Sequence, residues 1–435
     1  MAEACLGKMD MSLLLKKTVL VSCCVAATTT YADFIQDSKV AVTAHNYYLD
    51  RNFTGEGVAQ PAAKEWAQGF ILSAKSGYTP GLIGFGVDVH ATAGFKLWGD
   101  KEHSLGAGLL PIQPLTGEPE DSYAEFSPTV KAKISKTELK YGTLIPFNPM
   151  LVGSPARLFP QTYRGFALES KDVDKFSIEA SYVDEVNHRD STNYEPLKLS
   201  ASNRRFSNNF TADYLYYLGA HYQYNQTSRF SAFHSNLDDV FDQFYVGLIG
   251  SLPINEDYRF LHDIRVFSTQ DQGAKKAGEV DNLHASIVLG VGYKNHRLNA
   301  GYISNSGDTA LPYLSGGEPF TYLDTWATDF LNKNEKIYTM RYEYDFKDHI
   351  PGLRAMVRYT HGQDIDLTRA LGPDAKDLEE TDIGVELNYQ LQDTFLKGLN
   401  VRLRYADYDN DFGPNITFKS AKETRVNLTY TWTIK

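Results

Sequence analysis

The sequence predicts an all-β chain folded as a transmembrane antiparallel β-barrel, and three observations carry that prediction. Segments of roughly nine to eleven residues alternate apolar and polar side chains with a period of two, the strand period and the length that crosses a bilayer when tilted. No apolar run reaches the roughly 18 residues that a spanning helix needs, and long patterns of period 3.6 are missing. Ring residues are plentiful, 28 Tyr and 24 Phe against 4 Trp, yet mean hydropathy over 435 residues is only −0.36. A barrel gives this mixture because only half of each strand faces lipid. A soluble β-sandwich shares the alternation, but it needs a second sheet to cover an uninterrupted apolar face.

The first 32 residues read as a secretory leader. Lys16 and Lys17 are its basic start, Thr18–Ala27 its apolar stretch, and Thr30–Ala32 ("TYA") a small-residue cleavage site. Met11 opens a leader of ordinary length, which makes Met1–Asp10 a misassigned start or an added stretch. Residues 33–435 then form one domain of 403 residues with no linker, charge block or shift in composition. Cys5, Cys23 and Cys24 all precede Ala32, so the mature chain offers neither a disulfide nor a thiolate metal site. Leu20–Cys23 resembles a lipoprotein box, but only about five residues separate Lys17 from Cys23, too few for an apolar core. The whole chain carries −11. The leader holds three lysines and two acids, which leaves −12 on the mature chain and argues against nucleic-acid binding.

The strands follow in order. "VKAKISKTELKYG" sets Val130, Ala132 and Ile134 against Lys131 and Lys133. "DIRVF" and "HRLNAGY" place Arg265 and Arg297 on the polar side. In "EKIYTMRYEYDF", Tyr338, Met340, Tyr342, Tyr344 and Phe346 oppose Ile337, Arg341, Glu343 and Asp345. Leu353, Ala355, Val357 and Tyr359 oppose Arg354, Met356 and Arg358. Ile383, Val385, Leu387 and Tyr389 oppose Glu386 and Asn388, and in "VRLRYADY" Val401, Leu403 and Tyr405 oppose Arg402 and Arg404. The last strand sets Val426, Leu428, Tyr430, Trp432 and Ile434 against Arg425 and Asn427. At roughly 22 to 25 residues per strand and connection, the mature length predicts about 16 to 18 strands, enough to leave an aqueous channel. Short connections such as Phe346–Leu353 read as periplasmic turns, and long polar ones such as Asn187–Asn209 as external loops.

A cation facing hydrocarbon near the midplane costs about 2 to 4 kcal/mol, so the basic residues are assigned to the lumen. A row of guanidinium groups there would offer an anion successive sites, each strong enough to attract it and weak enough to release it. Arginine suits carboxylates because its planar fork pairs with both oxygens. The competing reading is that these arginines only neutralise wall carboxylates such as Glu343, Asp345 and Glu386.

Seven stretches together resemble the OprD family of Gram-negative outer-membrane porins across nearly the whole mature chain. They are "FIQDSKVAVTAHNYYLDRNF", "EWAQGFILSAKSGYTPGLIGFGVD", "VKAKISKTELKYGTLIPFNPML", "ARLFPQTYRG", "HRLNAGYISNSGDTALPY", "MRYEYDF" with "IPGL", and "ETRVNLTY". The resemblance implies an 18-stranded barrel with inward-folded constriction loops, in the outer membrane among lipid and lipopolysaccharide, as a monomer or loose homotrimer. It implies passive uptake of small carboxylate-bearing solutes, basic amino acids or aromatic and aliphatic carboxylates, along a basic ladder. By the same resemblance the ladder is Lys131, Lys133, Arg402, Arg404, Arg425 and Arg51, with Arg157 on an inward loop. Ser304, Ser306 and Asp308 in "SNSGD" would form the opposite wall of the constriction. Three positions depart from the family pattern. His45 and Lys133 stand where arginine is usual, and the chain closes on Lys435 rather than an aromatic residue.

Other chemistry finds no support. Gly84–Asp88 and Leu289–Gly292 lack the third glycine and the strand–helix setting of a dinucleotide site. The 11 histidines show no metal-ligand spacing. His284, Ser306 and Asp308 could be combined into a triad on paper, but no nucleophile elbow supports it. No cofactor or catalytic residue is expected. A general diffusion porin and a non-transport barrel are the alternatives to a substrate-selective channel.

Overall fold

The computed structural model describes residues 34–435 apart from Asn208 and Thr394; the leader, cleavage-site and start readings fall outside the described residues. The strands are β1 (Lys39–Phe53), β2 (Ala62–Lys75), β3 (Gly84–Trp98), β4 (Ser122–Ile134), β5 (Thr137–Leu144), β6 (Phe147–Asn148) and β7 (Leu151–Val152). Then come β8 (Thr162–Ser170), β9 (Phe176–Asn187), β10 (Tyr194–Pro196), β11 (Leu215–Gln223), β12 (Ser228–Leu237), β13 (Phe241–Pro253) and β14 (Tyr258–Asp271). The series ends with β15 (Asp281–Tyr293), β16 (His296–Ser306), β17 (Lys336–Asp345), β18 (Leu353–Ile365), β19 (Leu378–Gln390), β20 (Asn400–Asn410) and β21 (Ala421–Thr433). Strands β6 and β7 form a hairpin inside a loop, and the three-residue β10 only extends the rim beside β9. The other 18 make one antiparallel wall.

The wall closes directly. β1 pairs with β2 on one side and with β21 on the other, from Ala41 opposite Thr433 to Phe53 opposite Ala421. Among the described residues the closed wall leaves no edge to recruit another strand. The predicted alternation is visible in solvent exposure: on β20, Leu403 is 42% exposed on the outer face and Arg404 7% on the inner one. Across β1, β21, β20, β19 and β18 one inward row runs Leu49, Arg425, Arg404, Glu386 and Met356.

Two-residue turns at 135–136 and 294–295 share an end of the barrel with both termini, whereas 99–121, 145–161, 188–214 and 307–335 lie at the other end. The 346–352 link is a turn, as expected. The alternation is not uniform: the link 238–240 at the long-loop end has three residues, and 54–61 there is no longer than 76–83 at the other end.

The long loops turn inward because they carry apolar residues that need cover. Leu158 and Phe159 pack with Tyr47, Leu49, Leu109 and Leu110. Leu311, Leu314 and Leu331 pack with Met150, Tyr163 and Tyr245 over the opposite part of the wall. Gly69 of β2 permits the first docking, since a Cβ there would lie 2.8 Å from the Phe159 ring.

Candidate functional site

Strand parity brings Arg51, Arg358, Arg404 and Arg425 to one stretch of inner wall, on β1, β18, β20 and β21. The 307–335 loop lays Trp326 over them. Its carbonyl accepts from Arg425 Nη2 at 2.6 Å and from Arg51 Nη2 at 3.0 Å. Its ring stands 5.1 Å from the Arg358 guanidinium carbon and 5.5 Å from that of Arg404. Met356 and Ala406 complete the apolar seat of the ring.

Tyr47 ties the same cluster to the other inward loop. Its hydroxyl donates to the Ala156 carbonyl at 2.9 Å and accepts from Arg404 Nη2 at 3.3 Å and Arg425 Nη1 at 3.4 Å. Arg157, the next residue, is buried and donates to the carbonyls of Ala107 at 2.8 Å and Ala156 at 3.0 Å. Gly108 lies between Arg157 and Arg189; a Cβ on it would be 3.7 Å from the Nε of each. Burial, and then the Arg425 and Arg189 charges, press the Arg157 pKa down to about 9. A guanidinium keeps its proton in proteins, so Arg157 stays charged in a buried setting beside other cations.

The cations divide into paired and unpaired. Arg51 and Arg425 share Glu423. Arg358 holds Asp324 at 2.6 Å and Asp382 at 3.0 Å, and Arg402 holds Glu386 at 2.6 Å. Arg341 pairs with Glu343, Arg354 with Asp345 and Arg265 with Asp263. For these the neutralising reading describes the geometry. Arg404 instead binds the Asn427 amide oxygen at 2.6 Å, and its Nε has no partner among the described residues. Arg157 binds only carbonyls. Neither forms a salt bridge among the described residues.

Toward the short-turn end, Lys131 is buried against Asp88 at 2.6 Å and Lys133 lies over the Tyr78 ring at 5.3 Å. Arg297 is exposed there, beside Glu343 in the register. His45 turns its Nδ1 to the Leu158 carbonyl at 3.0 Å, so it helps fix the 145–161 loop.

The opposite wall expected from "SNSGD" is corrected. β16 runs through Ser306, and period two sends Ser304 and Ser306 outward while Ile303 and Asn305 point inward and are buried. His284 is buried on the inward face, where its Nδ1 pairs with Asn305 at 2.8 Å, whereas Ser306 lies on the outward face. Asp308 is exposed in a cleft at the long-loop end lined by Arg204, Lys333, Asp366 and Arg369, and none of these belongs to the arginine cluster. Arg157 is not among the residues lining that cleft.

Several residues of the cluster escaped sequence reasoning. Glu423 was readable, being two residues from Arg425 and therefore on the same face. Trp326, Asp324 and Arg189 sit in loops without periodicity and left no signal.

The match to known proteins follows this architecture. Residues 32–434 match the model of the family described as outer membrane porin, OprD family. Porin D of Pseudomonas aeruginosa is 30% identical over 397 residues, 86% of each chain. The crystal structure of Acinetobacter baumannii OccAB2 superposes with a TM-score of 0.87 at 48% identity, covering 93% of this chain and all of that one. OccAB3 of the same species gives 0.88 at 42% identity, covering 92% of this chain and all of that one. With an 18-stranded closed wall, inward loops and this match, the chain belongs to the OprD family of outer-membrane porins.

Proposed function

We propose that this porin passes small carboxylate-bearing solutes, basic amino acids or aromatic and aliphatic carboxylates, along the inner wall of β18–β21 and β1. The observation that carries the reading is the pair of uncompensated guanidinium groups, Arg404 on the wall and Arg157 on the 145–161 loop, joined through Tyr47 and Ala156. A carboxylate arriving between them supplies the charge that each lacks. The paired cations around them, with Glu423, Asp382 and Glu386 already in place, keep the site from becoming a trap, since conduction needs release as well as capture. The similar OpdK of Pseudomonas aeruginosa, 30% identical with a TM-score of 0.83, has been crystallised with vanillate, an aromatic carboxylate. Lys131 and Lys133 act below as further rungs toward the periplasm.

Single-channel recording tests this with a panel of carboxylates, with and without an amino group, against size-matched neutral solutes. Saturable block by the carboxylates alone is expected. Equal, non-saturating passage of charged and neutral solutes would make the protein a general diffusion porin.

A further inference from the structure

A second polar cluster holds the 307–335 loop, apart from the arginines. Glu335, the last loop residue, and Glu380 of β19 are 0% and 1% exposed. Glu380 accepts from Tyr408 Oη at 2.6 Å, Thr328 Oγ1 at 2.7 Å and Asn332 Nδ2 at 2.8 Å. Glu335 Oε2 accepts from the Asn332 backbone N–H at 2.8 Å and from Asn332 Nδ2 at 3.1 Å. Its Oε1 has no donor among the described residues and is aimed at Gly362, where a Cβ would lie only 2.2 Å away. The two carboxyl groups accept from the same Asn332 Nδ2, so they stand side by side in the buried cluster. Two ionised carboxylates can only accept, so neither could satisfy the other without a proton.

The surrounding charges are already committed. Arg205 is held by Asp329 at 2.6 and 2.7 Å and donates to Asn332 Oδ1 at 2.8 Å; Asp329 also accepts from Tyr313 at 2.8 Å. Lys333 is paired with Asp366 at 3.4 Å, and Asp382, the next inward residue on β19, with Arg358. Among the described residues, no free cation in this cluster matches a second negative charge.

We propose that Glu335 and Glu380 share one proton, and that this proton is the latch seating the 307–335 loop, and with it Trp326, on the arginine wall. Thr328 and Asn332, both on the loop, are hydrogen-bonded to Glu380 on the wall, so the latch stands two residues beyond Trp326. Glu335 is the protonated partner: Glu380 has three donors, and Glu335 has one oxygen with none. Burial first, and the Glu380 charge second, hold the Glu335 carboxyl well above the usual carboxylate range. The folded loop therefore binds a proton that the free carboxyl has released. Seating is strongest below the ordinary glutamate pKa and weakens as pH rises through the raised one. Above it the proton passes to bulk water, two like charges face each other without a cation, and the loop lifts from Arg358 and Arg404.

This deepens the carboxylate reading and rests on it only for what opening does to a solute. The test records single-channel conductance against pH for the full chain and for Glu335→Gln, which keeps a donor and cannot ionise. The parent should show a step to higher conductance on the alkaline side that Glu335→Gln lacks. As a second measurement, Ala327→Cys is labelled with an impermeant thiol reagent in both backgrounds, the mature chain having no other cysteine. Labelling at alkaline pH should be faster with Glu335 present than with Glu335→Gln. Identical pH profiles and identical labelling rates in the two backgrounds would overturn the latch. If instead the latch behaves as described while carboxylates fail to block, the solute reading falls and the latch stands.

Discussion

Arg402 and Arg404 are two residues apart on one strand, face the same lumen, and differ in their partners. Arg402 is neutralised by Glu386, whereas among the described residues Arg404 meets an amide oxygen, a tyrosine hydroxyl and the Tyr47 and Trp326 rings, with no carboxylate in salt-bridge contact. Arg404→Gln should therefore weaken carboxylate block far more than Arg402→Gln. The expected loss is about 1.5 to 3 kcal/mol, the range for a hydrogen bond to a charged group. Blocker titration in planar bilayers reads both variants, and equal effects would show that pairing does not set the role. Arg358 makes the converse point. It is 1% exposed and shared between Asp382 of the wall and Asp324 of the loop. Asp382→Ala leaves that charge half-compensated in a buried setting, where losing a partner costs about 3 to 5 kcal/mol. A lower temperature for the heat-induced gel shift should report it, while Arg354→Ala, at a solvated pair, should leave that temperature where it is.

At the scale of elements, the inward loops determine what the arginines meet. Gly69 is the seat of Leu158 and Phe159, and a side chain there must push the 145–161 loop off the wall. Gly69→Val should raise open-channel conductance and loosen carboxylate selectivity together, because Ala156 and Arg157 move with that loop. The barrel strands, paired residue by residue from β1 to β21, should keep their β-rich circular dichroism. Unchanged conductance would place the narrow point elsewhere. The same element scale explains the misplaced "SNSGD" wall. The segment looks like a polar loop by composition, yet β16 continues through Ser306, and pairing with β15 as far as Ser306 opposite Leu283 sends both serines outward.

For the whole molecule, lipid on one face and water on the other make a single-residue change of side costly. Val357 is 49% exposed on the outer face, next to the buried Met356 and Arg358. Val357→Arg should cost about 2 to 4 kcal/mol near the midplane, seen as lost folding yield in lipid vesicles; an undiminished yield would contradict the outward assignment. Barrel, strand direction and the inward parity of Lys131, Arg358, Arg402, Arg404 and Arg425 were legible from residue order, because a period of two is a local property of an extended chain. Which of those cations would be left without a counter-ion was not legible. That depends on contacts such as Tyr47 with Ala156 and Arg425 with Trp326, 109 and 99 residues apart. Loops carry no periodicity, and their positions follow from packing inside a closed wall rather than from neighbours in sequence. Patterning thus settled the two faces of the barrel, and the tertiary structure alone decided where its charges remain unbalanced.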